Sequence, residues 1–271
     1  RDLAIDLDLA DVRTLFREQR MAECAALGRS VLAAARAHQR HESATIAALL
    51  LGCALADLRE LDEAERVFGE MIAGCEARGD RFHLAAAFGN RAWLWSARGQ
   101  LERTASDLRL ASQLARESGQ AHFERVATHN LAEHRLWEGE LAEALQLARR
   151  GYALQSRAGE GKTRADRLLL ARVLATLDER KELAELLATF RGEEGLGDDE
   201  QTLLDLLRAI VTSDEAAWQS GLANLSTLFL QLRLEVGLLA ARHGKLSGGL
   251  REEIIALART DGLWARRVAE F

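Results

Sequence analysis

Apolar residues along this chain recur at spacings of three and four, the signature of helices with one buried face. Leu84, Phe88 and Trp95, with Ala87 and Leu94, mark one such helix, and Leu101, Leu108, Ala111, Leu114 and Ala115 mark the next. Gly99 separates them; glycine ends a helix cheaply because it takes left-handed backbone angles without a steric penalty. The pattern returns after Gly139 with Leu141, Ala144, Leu145, Ala148 and Tyr152. Sliding 121–160 back by forty residues lays it on 81–120 without a gap, so that Asn130 falls on Asn90, Ala132 on Ala92, Gly139-Glu140-Leu141 on Gly99-Gln100-Leu101, and Gly159 on Gly119. A second slide reaches 41–80, with Gly52 at the alanine position and Gly79-Asp80 at the close.

A repeat of this length is one supersecondary unit that cannot bury its apolar face alone, so successive copies must stack. Residues 1–40 read as a worn first copy, with helices around Leu3 to Glu18 and Met21 to His38. Terminal copies are expected to be atypical because one face meets no neighbour. After Glu160 the pattern decays: 162–177 still reads as a first helix and Lys181 to Phe190 as a shortened partner, before the glycine-rich break Arg191 to Gly197. The predicted units are 1–40, 41–80, 81–120, 121–160 and 161–192. Residues 193–271 are expected to form a helical cap or small bundle, with helices over Gln201 to Val211, Asp214 to Leu222 after a capping Ser213, Leu225 to His243, and Leu250 to Ala258.

Composition sharpens this picture. The 271 residues contain no proline, against a usual share of roughly 5%, and Ala, Leu, Arg and Glu dominate, which favours helix nearly everywhere. The formal charge of −6 comes from acids and bases interleaved along the chain, so no basic face for nucleic acid is evident. No apolar run approaches the ~20 residues needed to span a membrane, and no signal peptide opens the chain. Cys24, Cys53 and Cys75 share no metal or redox spacing and read as buried free thiols, which suit a reducing cytoplasm. The first residue is Arg, which suggests a fragment of a longer protein.

Several stretches imitate chemistry. Ser156 to Thr163, SRAGEGKT, ends like a phosphate-binding loop but has Ser156 where that loop needs glycine, and it follows a helix. His129 and His134 are five residues apart, on different helix faces; His122, His129 and Glu133 share a face but lack a fourth metal ligand. Asn224-Leu225-Ser226 is a glycosylation sequon by letter only. No nucleophile elbow, catalytic carboxylate pair or Cys/His set stands out. No enzyme activity, metal or cofactor is expected.

Small residues recur at two levels where paired helices must cross closely: Gly52, Ala92 and Ala132 at one, Ala64, Thr104 and Ala144 at the other. With the Gly-x-Leu turn between them, and with Leu51-Gly52, Leu55, Ala64 and Phe68 at the expected spacing, the chain resembles the tetratricopeptide repeat (TPR) family. The extra residues per unit and the missing terminal proline make it similar to the longer variant of kinesin light chains and of large ATP-dependent bacterial transcription activators. HEAT repeats share a period near forty but fit this turn and small-residue ladder less well. The resemblance, strongest over Arg81 to Glu160, implies an all-α, right-handed superhelical solenoid of antiparallel helix pairs with a C-terminal helical cap.

In that family the first helix of each unit lines the concave surface. Asn90 and Asn130 match the asparagine that hydrogen-bonds the backbone of an extended peptide in related repeats, a role suited to an amide that both donates and accepts. Trp93, His129, Glu133, Trp137 and Asp57 fall on the same face, with Arg13 and Arg17 from the worn copy. Trp95 stands where the family places a core aromatic. A competing role for the two asparagines is to tie adjacent helices together. The resemblance thus implies an interaction module holding a peptide or partner protein in its concave groove, as scaffold or adaptor. Its alternative is a regulatory or sensory arm of a larger signalling protein, such as a kinase or an ATP-dependent transcription regulator.

Overall fold

The computed structural model describes residues 2–154 and 164–271, so the imitation phosphate loop at 156–163 lies outside the described residues. Among those described, the chain is all-α and without strands. Four pairs come first: α1 Asp2–Arg17 with α2 Met21–Ala37, α3 His41–Asp57 with α4 Leu61–Arg78, α5 Arg81–Ala97 with α6 Leu101–Glu117, and α7 Ala121–Glu138 with α8 Leu141–Leu154. They are followed by α9 Arg164–Thr176, α10 Arg180–Ala188, α11 Asp198–Thr212, α12 Glu215–Ala223, α13 Leu230–Arg242 and α14 Gly248–Arg259.

The turns between paired helices and between pairs are built alike. A left-handed residue stands at 19, 39, 59, 79, 99, 119 and 139, so the backbone repeats every twenty residues as well as every forty. At Gly79 the amide donates to Glu76 O (3.1 Å) and that of Asp80 to Cys75 O (2.9 Å), and residues 20, 40, 60, 100, 120 and 140 likewise donate to the carbonyl five residues back. This is the Schellman closure, which satisfies carbonyls the helix end leaves orphaned. The following residue turns with ψ of 57 to 78° at 20, 40, 60, 80 and 100, and the next helix begins at once. Glycine holds the left-handed position at 79, 99, 119 and 139, but Gln19, Gln39 and Arg59 hold it in the first three turns. A sequence search keyed to glycine therefore misses the start of this rhythm.

By Cα packing the chain falls into two compact units, Arg1–Ala127 and Thr128–Phe271, with the division inside α7. In the first unit α1 packs on α3 and α3 on α5, while each of the second helices α2 and α4 packs on the first helices before and after it. The first helices therefore form the tighter, inner layer. At both expected small-residue levels the side chains are buried: Ala64 and Ala144 fully and Thr104 nearly so, as are Ala92 and Ala132. At Gly52 a Cβ would lie 2.8 Å from the ring of the fully buried Phe68, so only glycine fits beneath that ring.

In the second unit the forty-residue rhythm is lost after α9 and α10, and two expectations need correction. Ser213 does not cap α12. It adopts φ 57° and closes α11, while Asp214 caps α12 by accepting from the Ala217 amide (3.1 Å). The single helix expected over Leu225 to His243 is broken, because Leu228 and Phe229 are extended between a 3-10 turn at Leu225–Thr227 and α13. Arg233 stabilises the break by donating to the carbonyls of Leu225, Ser226 and Leu228.

Candidate partner-binding surface

In the first unit, the first-helix layer carries Arg13 and Arg17 from α1, Asp57 from α3 and Trp93 from α5, all open to solvent. Trp93 is 51% exposed, an unusual state for the largest apolar side chain. On α3, Leu49, Leu50 and Cys53 are only partly covered. Asn90 sits half-buried on α5, one turn before Leu94, which is fully buried in the core.

The Asn90 amide is partly committed within the fold. Its Nδ2 donates to Ala86 O one turn back (2.8 Å), and its Oδ1 accepts from Cys53 Sγ (3.3 Å), tying α5 to α3. Burial, with a smaller contribution from the Cys24 thiol, pushes the Cys53 pKa up to about 12, so the thiol keeps the proton it donates. One N–H and one lone pair of the amide remain for another partner. Trp95, two residues beyond Trp93, is buried as expected of a core aromatic, and its Nε1 donates to Asp107 (2.7 Å). Arg91 closes on the same carboxylate through Nε and Nη2 (2.7 and 2.9 Å), and Arg103 lies over the indole ring at 4.4 Å. Sequence reasoning misses this cluster, because the spacing of Arg91, Trp95 and Asp107 across a helix pair gives no one-dimensional signal.

The candidates in the second unit have a different fate. Trp137 is 8% exposed, so it presents no free anchor; its Nε1 donates to Glu235 (2.7 Å) and its carbonyl accepts from Arg267 (2.7 Å). Glu133 accepts from Arg172 Nη1 (2.6 Å), and Arg172 also donates to Glu235 through Nε (2.8 Å). Burial works against the Arg172 charge, but the carboxylates of Glu235 and Glu133 outweigh it and hold its pKa above the ordinary guanidinium range. His129 Nδ1 lies 2.8 Å from the buried Asp166 carboxylate. Of the four candidates here only Asn130 is exposed. Among the described residues no group of three His, Cys, Asp or Glu could hold a metal ion, and no helix is long and apolar enough to cross a membrane.

No family model and no curated protein matches the chain. Solved structures do match. Two crystal structures of a Podosopora anserina putative kinesin light chain with nearly identical TPR-like repeats, one of them a single-substitution variant, superpose with TM-scores of 0.55 and 0.56 at 16% identity. Each match covers 78% of this chain and 97% of the other. The fold is TPR-like. Identity this low carries the architecture of stacked helix pairs and nothing of the ligand.

Proposed function

We propose that the chain is a protein-protein interaction module whose partner, a peptide or a segment of another protein, lies along the first-helix layer of α1, α3 and α5. The observation that carries this reading is Trp93, half-exposed on the layer that also holds the partly covered Leu49, Leu50 and Cys53. An aromatic ring set in a polar rim is the kind of anchor that dominates interface energetics. The free half of the Asn90 amide would orient a peptide unit, and Arg13, Arg17 and Asp57 would select among partners by charge. Asn130, exposed in the second unit, offers the same amide chemistry.

The test is a pull-down with the whole chain, followed by affinity measurement for the recovered partner. Trp93→Ala should weaken binding by about 2 kcal/mol or more, as truncation of a central aromatic does, with the melting temperature unchanged. Arg109→Ala, on the exposed side of α6, should leave affinity unaltered. A partner indifferent to Trp93→Ala would refute this surface. As the arm of a larger signalling protein, the same surface would serve regulation, and a catalytic or DNA-binding segment encoded beside it would favour that reading over a free-standing adaptor.

A further inference from the structure

A cavity of about 180 Å³ opens between α2, α3 and α4. Its origin is legible in the repeat. One unit later, Leu84, Phe88 and Leu114 pack into the hydrophobic core, whereas the residues forty positions earlier are Ala44, Ala48 and Gly74. The backbone repeats and the filling does not. Leu32 and Met71 add to the apolar part of the lining, and His41, Thr45, Arg36, Glu70 and Arg78 form its polar part.

The cavity also carries cationic charge. Arg78 stands where the next unit has Ser118, and its Nη2 donates to the Oγ1 of the buried Thr45 (2.9 Å) and lies 3.8 Å from Cys75 Sγ. Arg78 helps to lower the Asp80 pKa, but that carboxylate is bonded to the amide and ring of His83 (3.1 and 2.8 Å). Arg36, which also lines the cavity, is paired with Glu70 at 2.8 Å, which leaves the Arg78 charge as the surplus. A Cβ at position 74 would lie 3.1 Å from Arg78 Nη1, so a side chain there would push the guanidinium aside by a few tenths of an ångström.

We propose that this cavity binds a small organic acid, with its apolar body on the alanine and leucine lining and its carboxylate on Arg78. The volume suits a single ring, since an apolar cavity of about 150 Å³ takes up benzene. A guanidinium offers parallel donors to a carboxylate, and such charge-assisted bonds are roughly twice as strong as neutral ones.

Benzoate is the probe, titrated into the whole chain and followed by calorimetry and amide NMR. Binding should shift the amides around Thr45 and Gly74. Benzyl alcohol, which lacks the charge, and inorganic phosphate, which lacks the ring, should each bind at least about tenfold more weakly, the factor expected for losing a charge-assisted bond or a buried ring. Arg78→Gln should weaken benzoate by a similar factor with folding intact, and Gly74→Leu, which restores the side chain of the next unit, should abolish binding. The proposal is overturned if benzoate fails to bind up to about 10 mM, a concentration at which each of its non-hydrogen atoms would contribute no more than those of a drug-sized ligand do. It is equally overturned if Arg78→Gln binds benzoate as tightly as the parent, or if phosphate matches benzoate. Should Gly74→Leu fail to fold, Arg78→Gln decides alone.

Discussion

Equivalent repeat positions in the two units meet opposite fates. Trp93 and Glu133 are forty residues apart on the first helix of their pairs, as are Ala97 and Trp137. In the first unit Trp93 stands open on the helix layer; in the second, Glu133 and Trp137 are drawn into a polar cluster with Arg172 and Glu235, closed by Arg267. The helical register is the same, but in the second unit residues from α13 and the C-terminal 3-10 turn Trp264–Glu270 pack against the face that the first unit leaves free. A repeat therefore fixes where a side chain points and not what it meets there.

The contrast can be broken at its strongest link. Glu235→Ala should cost about 3 to 5 kcal/mol, because it leaves the buried Arg172 charge with Glu133 alone and strands the Trp137 indole N–H, whereas Trp93→Ala should change stability by no more than about 0.5 kcal/mol. Denaturant unfolding of both variants measures the difference; equal costs would mean that the two faces are alike. Next in size, Ala132→Leu should overpack the crossing in α7 and cost about 1 to 3 kcal/mol, and an unchanged denaturation midpoint would show that this level is not a close crossing.

The turn rhythm gives a smaller, signed effect. Gly119→Ala places a Cβ at φ +70° and should cost about 1 to 2 kcal/mol, while Gln39→Gly relieves the same conformation and should gain about 0.5 to 1 kcal/mol net of the chain entropy that glycine loses on folding. Thermal melts that moved in the same direction for both would contradict the shared turn geometry. The smallest contrast is between the asparagines. Asn90→Ala removes two intramolecular hydrogen bonds and should cost about 1 to 2 kcal/mol, but Asn130→Ala, at an exposed position, should cost about 0.5 kcal/mol at most. A larger loss for Asn130 would reverse the assignment of which amide stitches the fold.

Much of the architecture is readable from the residues alone. The forty-residue slide, the absence of proline and the small-residue levels at Gly52, Ala92 and Ala132 specify paired helices and their crossings, because helix periodicity and steric fit are local properties that each copy restates. The exposed Trp93 and the buried Trp95 are both legible for the same reason. What spacing does not reveal is any contact made between residues far apart in the chain. Glu235 reaches Trp137 across 98 positions and Arg172 across 63, outside any repeat. Likewise, the sequence places alanine and glycine at 44, 48 and 74, but only the packing of α2, α3 and α4 turns those three missing side chains into one cavity. Local pattern determines helices, turns and register; burial depends on what the rest of the chain brings to each face, and that is decided in three dimensions.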